Sequence, residues 1–482
     1  MSGYAGIDDA DASSPFPESA QALLAGYRSK AFSPSEVIGT LAERINRLNP
    51  GINAITETLF DEAGELAAAA DRCYASGDAD PFRQPLLGVP VILKEKHQLA
   101  GHTVSQGVKE LEVLATRHHP IVERILRSGG IPLVRSSTPE FCCATVTQSA
   151  LWGTCRNPWN LDKTSGGSSG GSAAALAAGF APLATGSDIG GSARIPAAYC
   201  GVVGYKAPYG VVPGLHPSTM DWYRSDSAMA RTVEDVRLLH NVISGQHRRD
   251  QLSVPMGPVA PVDGSDRLRG CKVLVSEHLG DYPTQRATAR NLMDVAQSLR
   301  DRGVVVERCD LPWHADEVMR LAFAHYGHIL ARFMRHDIIR AHANVSPYIH
   351  EWLEYAQDMA DAMPLDVTLA KESAMRDELS EVMDGATALL CPVSAVDSMD
   401  AEVPPVSIGK SGGFYWQDQM AVPFNINNRC PSLAIPSGFG PEGVPTGLQI
   451  VGNPYDQAAV FDVAYAIEEW RPWASKHPPV AV

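Results

Sequence analysis

Three consecutive segments between residues 86 and 137 constrain this fold more than any other part of the chain. The apolar run "LLGVPVIL" at 86–93 reads as a buried strand leading into "KEKHQL". "HPIVERILRSGG" has helical periodicity and closes on Gly-Gly, and "IPLVRSS" behind it is strand-like again. Strand, helix and strand in this order are what a crossover requires, because parallel neighbours cannot be joined by a tight hairpin. The spacing therefore predicts an α/β fold in which crossover helices join strands of a mixed or parallel sheet.

The flanking sequence fits that frame. Ser19 is a candidate N-cap for "AQALLAGYRS", and Ser33-Pro34-Ser35-Glu36 reads as a capping box opening "VIGTLAERINRL", with Asn49-Pro50-Gly51 as the expected stop. An Ala-rich helix is predicted over 61–75. Between 145 and 172 the chain is rich in Gly, Ser, Thr, Asn and Pro, with too few apolar residues for a regular element, and "SAAALAAG" then offers a small-residue helix. From about 285 to 385 the pattern is mainly helical, including "DEVMRLAFAHYGHILARFMRHDIIRAH", before "ATALLCPV" and "SLAIPSGFG" return as strands of the same sheet. No internal repeat breaks the chain, and its 482 residues are expected to form a single domain.

Charge and cysteine usage narrow the function classes. Forty Lys and Arg against 55 Asp and Glu give a net charge of −15, which repels phosphate backbones and anionic lipid, so nucleic acid and membrane are not expected partners. Nine scattered cysteines without a Cys-x-x-Cys pair suggest neither a disulfide framework nor a zinc ribbon, and a cytoplasmic location fits best. The acidic start "MSGYAGIDDADASSPFPESA" lacks the basic end and apolar stretch of a secretory signal, and the longest apolar runs are too short to cross a bilayer.

The chemistry is expected in two glycine-rich loops. "TSGGSSGGSAAALAAG" sets Ser168 and Ser169 among four glycines, and "ATGSDIGGSARIPAAYCGVVGYKAP" surrounds Ser192. Glycine permits positive φ and close approach, so successive backbone N–H groups can converge on one point, as an oxyanion site requires. A serine hydroxyl needs a base to remove its proton, and no His stands near either loop. Lysine can serve if burial lowers its pKa from about 10.4 to about 7. Lys94, leaving an apolar strand, is the lysine best placed to be desolvated; Lys96 shares its face but lies farther from the apolar run. "GGSSG" also fits Gly-x-Ser-x-Gly, but a nucleophile elbow needs a strand before it, and "PWNLDKTS" reads as a poor one.

These residues carry a resemblance to the amidase-signature family. "GVPVILKEK" resembles its lysine strand, "TPEF" at 138–141 its next landmark, and "GTCRNPWNLDKTSGGSSGGSAAALAAG" with "GSDIGGSARIPAAYCGVVGYK" its serine region, so the signature core spans about 84–210. "VPFNINNRCPSLAIPSGF" and "GVPTGLQIVGNPYDQAAVFDVAYAIEEW" are similar to its closing region. The resemblance implies the amidase-signature fold, and the reading adopted with it is a central mixed, twisted β-sheet covered by α-helices on both faces. Ser192 is then the nucleophile, Ser168 the bridging serine on a cis peptide bond, and Lys94 the base. It implies an oxyanion hole from the N–H groups of Ile189, Gly190, Gly191 and Ser192, with no metal and no organic cofactor. Asp188 and Arg194 are expected to orient the loop through buried charge-assisted bonds.

The layout is most similar to bacterial small-molecule members such as nylon-oligomer cyclic-dimer hydrolases, arylamidases and urethanases. The implied substrate is a small amide, anilide or carbamate, bound in the helical region at about 285–385; a homodimer is left open. Glu95-Lys96 replaces the family's common Asp-Asn, and Ser137 its usual Asn. Ile195 in place of Gln, and "DWYRSDSAMA" in place of "SLDQIGP", separate the chain from the glutamyl-tRNA amidotransferase components of the family, the alternative role. Metal binding at His325 and His328 is the weaker reading, without a carboxylate cluster in sequence beside them. Cys142 and Cys143 read as buried small hydrophobes, and Trp222, Tyr223, Phe323, Tyr326 and Met334 are candidates for an acyl or aryl pocket, with core packing the competing reading.

Overall fold

Eleven strands assemble into one sheet in the computed structural model, which describes residues 16–261, 265–401 and 415–481. In chain order they are β1 (Ile55–Thr58), β2 (Pro90–Lys94), β3 (Ile131–Ser136), β4 (Leu183–Asp188), β5 (Val203–Lys206), β6 (Ser225–Ala230), β7 (Lys272–Val275), β8 (Val305–Arg308), β9 (Ala388–Pro392), β10 (Ser432–Phe439) and β11 (Pro445–Gly452). Their spatial order is β1-β3-β2-β4-β6-β5-β10-β11-β9-β7-β8. The pairs β3·β2, β2·β4, β9·β7 and β7·β8 are parallel and the other neighbours antiparallel, so the sheet is mixed. The parallel β2·β3 pair is the crossover read from the sequence, its connection containing the helix Pro120–Arg127.

Alternation along the strands explains why both faces are covered. Val91, Leu93, Leu183, Ala228, Ala230, Leu433, Ile435, Val273, Val275, Ala388 and Leu390 join one apolar cluster. Their strand neighbours Ile92, Ala184, Met229 and Ala434 join a second, and Leu274, Leu389 and Cys391 a third. A strand sends successive side chains to opposite faces, so one face carries the first cluster and the other is shared between the second and third. The fully buried Leu and Ile side chains contribute roughly 1.5–3 kcal/mol each.

Most predicted elements form, with instructive exceptions. Ser19 caps Ala20–Ser29, and Ser33 with Glu36 makes the full capping box of Pro34–Ile52. That helix runs through Asn49-Pro50-Gly51 instead of stopping there. Pro50 falls in its last turns, where it forgoes one main-chain hydrogen bond, and Asn53 ends it in the left-handed conformation, donating its N–H to Asn49 O at 2.7 Å. The long helical stretch after 314 breaks at Ile329 (φ −111°, ψ −66°) into Ala315–His328 and Leu330–Ala341, and β8 interrupts the helical region upstream. Asn160–Thr164 is a strand after all, paired with Arg156–Asn157 in a ribbon outside the main sheet. Among the described residues no helix is long and apolar enough to cross a membrane.

Candidate active site

Lys94 closes β2, and the parity that sends Ile92 to the second cluster puts Lys94 toward the same face. Against that face lies the helix Gly170–Ala177, whose eight residues are all buried and, apart from Leu176, all small. A Cβ on Gly171 would stand 2.5 Å from Ser137 N, so glycine is what lets this helix approach the sheet. Ser168 and Ser169 immediately precede it and are thereby carried to the end of β2.

Lys94 is fully buried, with Nζ 2.8 Å from Ser168 Oγ, 3.0 Å from Ser169 Oγ and 3.1 Å from Ser187 Oγ. A neutral amine has two N–H groups and one lone pair, which three hydroxyls satisfy. Burial lowers its pKa from the ordinary 10.5 to about 8; Lys96 acts in the same direction, while Cys142, Asp226 and Asp188 oppose it. The shift is smaller than the sequence reading anticipated because those neighbours favour the charged form. Lys96, the rival base, instead points its Nζ at Asp226 Oδ1, 3.7 Å away.

The two serine loops are joined by main chain, Ser169 N–H donating to Ser192 O at 3.0 Å, and the Gly167–Ser168 peptide bond is cis. Ser192 is 3% exposed, and among the described residues no hydrogen bond joins its Oγ to Ser168 Oγ. The loop that presents it is braced from below. Asp188, at the end of β4, takes Arg194 Nε on Oδ2 and Arg194 Nη2 on Oδ1, both at 2.9 Å. Arg194 also donates to Ala421 O (2.9 Å), Gln449 Oε1 (2.7 Å) and Asn425 Oδ1 (2.7 Å). Burial alone would raise the Asp188 carboxyl, but the Arg194 charge and hydrogen bonds hold it well below the usual carboxylate range.

This bracing also engages one of the N–H groups expected in the oxyanion hole. Gly191, at φ 106°, gives its N–H to Asp188 Oδ1 at 2.9 Å, so that donor is spent inside the loop. Ile189, Gly190 and Ser192 are the N–H groups that remain. Tyr326 donates its hydroxyl to Ile189 O at 2.9 Å, and a Cβ on Gly190 would stand 2.8 Å from both Tyr326 and Trp416.

A cavity of about 250 Å³ opens onto this constellation, reaching Ser168, Ser187, Asp188 and Ile189, while Ser192 is not among its lining residues. Its lining includes apolar Phe141, Leu330, Phe333 and Met334 together with polar Lys96, His119, Asp221 and Arg224. Met334 alone of the proposed pocket aromatics and Met faces this space. Tyr223, Phe323 and Tyr326 are core residues and Trp222 is half-buried. Cys143 is buried as expected, but Cys142 is half-buried and lines the cavity.

Several polar groups here went unread in the sequence. Lys94 N–H donates to Thr185 Oγ1 (2.9 Å), which lies 2.9 Å from His97 Nδ1, and His97 Nε2 lies 3.1 Å from Asp226 Oδ1. Burial lowers His97 to about 4, so the ring is neutral and its Nε2–H donates to the carboxylate. Glu95, in place of the family's Asp, accepts from Ser105 Oγ (3.0 Å) and Gln106 N (3.1 Å), fixing the loop beyond the strand. The only signal for this network was its density of polar residues beside Lys94 and Ser192.

His325 and His328 do not converge. His328 Nε2 donates to Met363 O at 2.8 Å, whereas His325 lies between Glu372 Oε1 (2.9 Å) and Asp221 Oδ1 (3.1 Å). Burial opposes a charge on His325, but the two carboxylates prevail and raise it from 6.5 to about 9. Its folded value exceeds its unfolded one, so its stabilising contribution is complete below about pH 6.5 and disappears as pH rises through 9. The stability difference between wild type and His325→Gln is expected to shrink over that window by on the order of 3 kcal/mol, measured by urea denaturation. Taking the difference separates His325 from Lys94 and Lys206, whose lowered values act with the opposite sign.

Comparison with known proteins agrees along nearly the whole chain. The family model described as Amidase matches residues 36–461. The A-subunit of a glutamyl-tRNA(Gln) amidotransferase from Chromohalobacter salexigens is 30% identical over 95% of this chain and 97% of its own. An acylamidase of Rhodococcus erythropolis is 29% identical over the same shares. Among solved structures, a bacterial aryl acylamidase superposes with TM-score 0.84 at 26% identity, covering 95% of this chain and 96% of that one. A 6-aminohexanoate cyclic dimer hydrolase complexed with substrate gives 0.81 at 25%, covering 96% and 99%.

Proposed function

The chain belongs to the amidase family, and on that premise we propose that it hydrolyses a small-molecule amide, anilide or carbamate through an acyl-enzyme on Ser192. The observation that carries the reading is Lys94: a fully buried amine with Nζ 2.8 Å from the Oγ of Ser168, which lines the cavity. Neutral Lys94 takes the Ser168 proton while Ser168 takes that of Ser192, whose oxygen attacks the carbonyl. The resulting oxyanion is met by the N–H groups of Ile189, Gly190 and Ser192. Ser168 then protonates the departing nitrogen, and water attacks the acyl-enzyme by the same relay in reverse.

A panel of anilides, lactams, amino-acid amides and aryl carbamates tests this directly, with a fluorophosphonate probe to locate the nucleophile. Turnover of at least one class with labelling at Ser192 supports the proposal; labelling elsewhere removes Ser192 as nucleophile. The base must be unprotonated, so kcat/KM on a non-titrating substrate is expected to rise with pH through one inflection near 8. A profile flat from pH 6 to 9 would remove Lys94 from that role.

A second reading, a component of a tRNA-dependent amidotransferase, is favoured by the names of several relatives near 30% identity. It predicts stable partner chains on purification from the native cell and tRNA-dependent activity. Activity of the isolated chain on small amides, without either, decides for the free hydrolase.

A further inference from the structure

We propose that Asp221 is a specificity-determining residue of this cavity, accepting a neutral N–H or O–H that the substrate carries away from the bond to be cleaved. The inference rests on reading the cavity as a hydrolase site. Asp221 is 2% exposed and lines the cavity with Ser168, Ser187 and Ile189. Its Oδ1 accepts from His325 Nε2 (3.1 Å) and Tyr223 N (2.9 Å), while its Oδ2 is buried with no donor among the described residues.

The carboxylate cannot turn to pair that oxygen elsewhere. His325 is fixed at its other nitrogen by Glu372, and Glu372 is in turn held by Tyr223 Oη (2.7 Å), Trp222 Nε1 (3.1 Å) and Arg376 Nη2 (2.8 Å). Tyr223 stacks on His325 with centroids 3.6 Å apart, and Trp222 meets its edge at 4.6 Å. A clamped carboxylate with one unmatched oxygen, placed on a cavity wall, is completed by a donor that enters the cavity.

Charge decides which donor. Lys96 and Arg224 line the same cavity and share Asp226, and His325 behind Asp221 also pairs with Glu372, so the Asp221 charge is already balanced and a substrate ammonium would meet no surplus negative charge. Arg224 is paired with Asp226 Oδ1 at 2.8 Å and does not cover Asp221 Oδ2. Phe141, Leu330, Phe333 and Met334 in the same lining suit hydrocarbon or aryl surface. The substrate class is therefore an amide or carbamate with an apolar body and one remote hydroxyl or second amide N–H.

Matched substrates test this: one scaffold bearing a remote hydroxyl or secondary amide, its methylene isostere, its N-methyl amide and its primary amine. Wild-type kcat/KM is expected to favour the neutral donors by about tenfold or more, chiefly through KM. Asp221→Asn, which sets an NH₂ where the acceptor stood, is expected to erase that preference. Equal turnover of donor and isostere by wild type overturns the inference while leaving the hydrolase reading intact, and preference for the amine overturns the choice of a neutral donor. No turnover of any compound counts against the hydrolase reading instead. Competitive inhibition of wild type by an alcohol and its matched alkane gives the same comparison without a variant: a Ki ratio near one refutes the role of Asp221.

Discussion

Ser192→Ala is expected to lower turnover by at least about four orders of magnitude while leaving stability within about 1 kcal/mol of wild type. The activity loss follows because no other hydroxyl can replace it: Ser168 and Ser169 are both held against Lys94 Nζ. The small stability cost follows because the contact that ties Ser192 to the neighbouring loop is its main-chain oxygen, which accepts from Ser169 N and survives the substitution. Turnover on the best substrate of the panel, with a thermal melt of each protein, checks both halves. Retention of more than about a hundredth of wild-type activity would exclude Ser192 as nucleophile.

Arg194→Met is expected to cost about 3–5 kcal/mol of stability, the largest effect of any single substitution near the site. Methionine keeps much of the volume but leaves the Asp188 carboxylate buried without its counter-charge. Asp188 also holds Gly191 N and Ala193 N, at 2.9 and 3.3 Å, so the loop that presents Ser192 is expected to shift and activity to fall with stability. Adding Asp188→Asn removes the stranded charge and is expected to recover part of the stability, not the activity. Urea denaturation of the two single variants and the double variant closes that cycle. A loss below about 1 kcal/mol for Arg194→Met would show that the pair does not brace the loop.

Local signals in the sequence reached far into this fold. The capping box at Ser33, the strand ending on Lys94 and the small-residue helix after Ser168 each depend on neighbours within a few residues, and each forms. Asn49-Pro50-Gly51 misled because a proline in the last turn loses one hydrogen bond, and the Asn53 cap compensates for it. The break at Ile329 had no such marker, since the residues on both sides have helical periodicity.

The sequence by itself determined which residues have the chemistry: a lysine leaving an apolar strand, serines among glycines, and an Asp and Arg six positions apart. Only the tertiary structure decided how they meet. Lys94 and Ser168 are 74 positions apart and come within 2.8 Å because one small-residue helix fits closely on the face toward which β2 directs its last side chain. The same holds for the third hydroxyl on Lys94 and the Asp221–His325–Glu372 chain, whose partners lie 104 and 47 positions apart. Backbone preference is set by adjacent residues, but a hydrogen bond between distant side chains exists only once strand register and helix packing have fixed both ends.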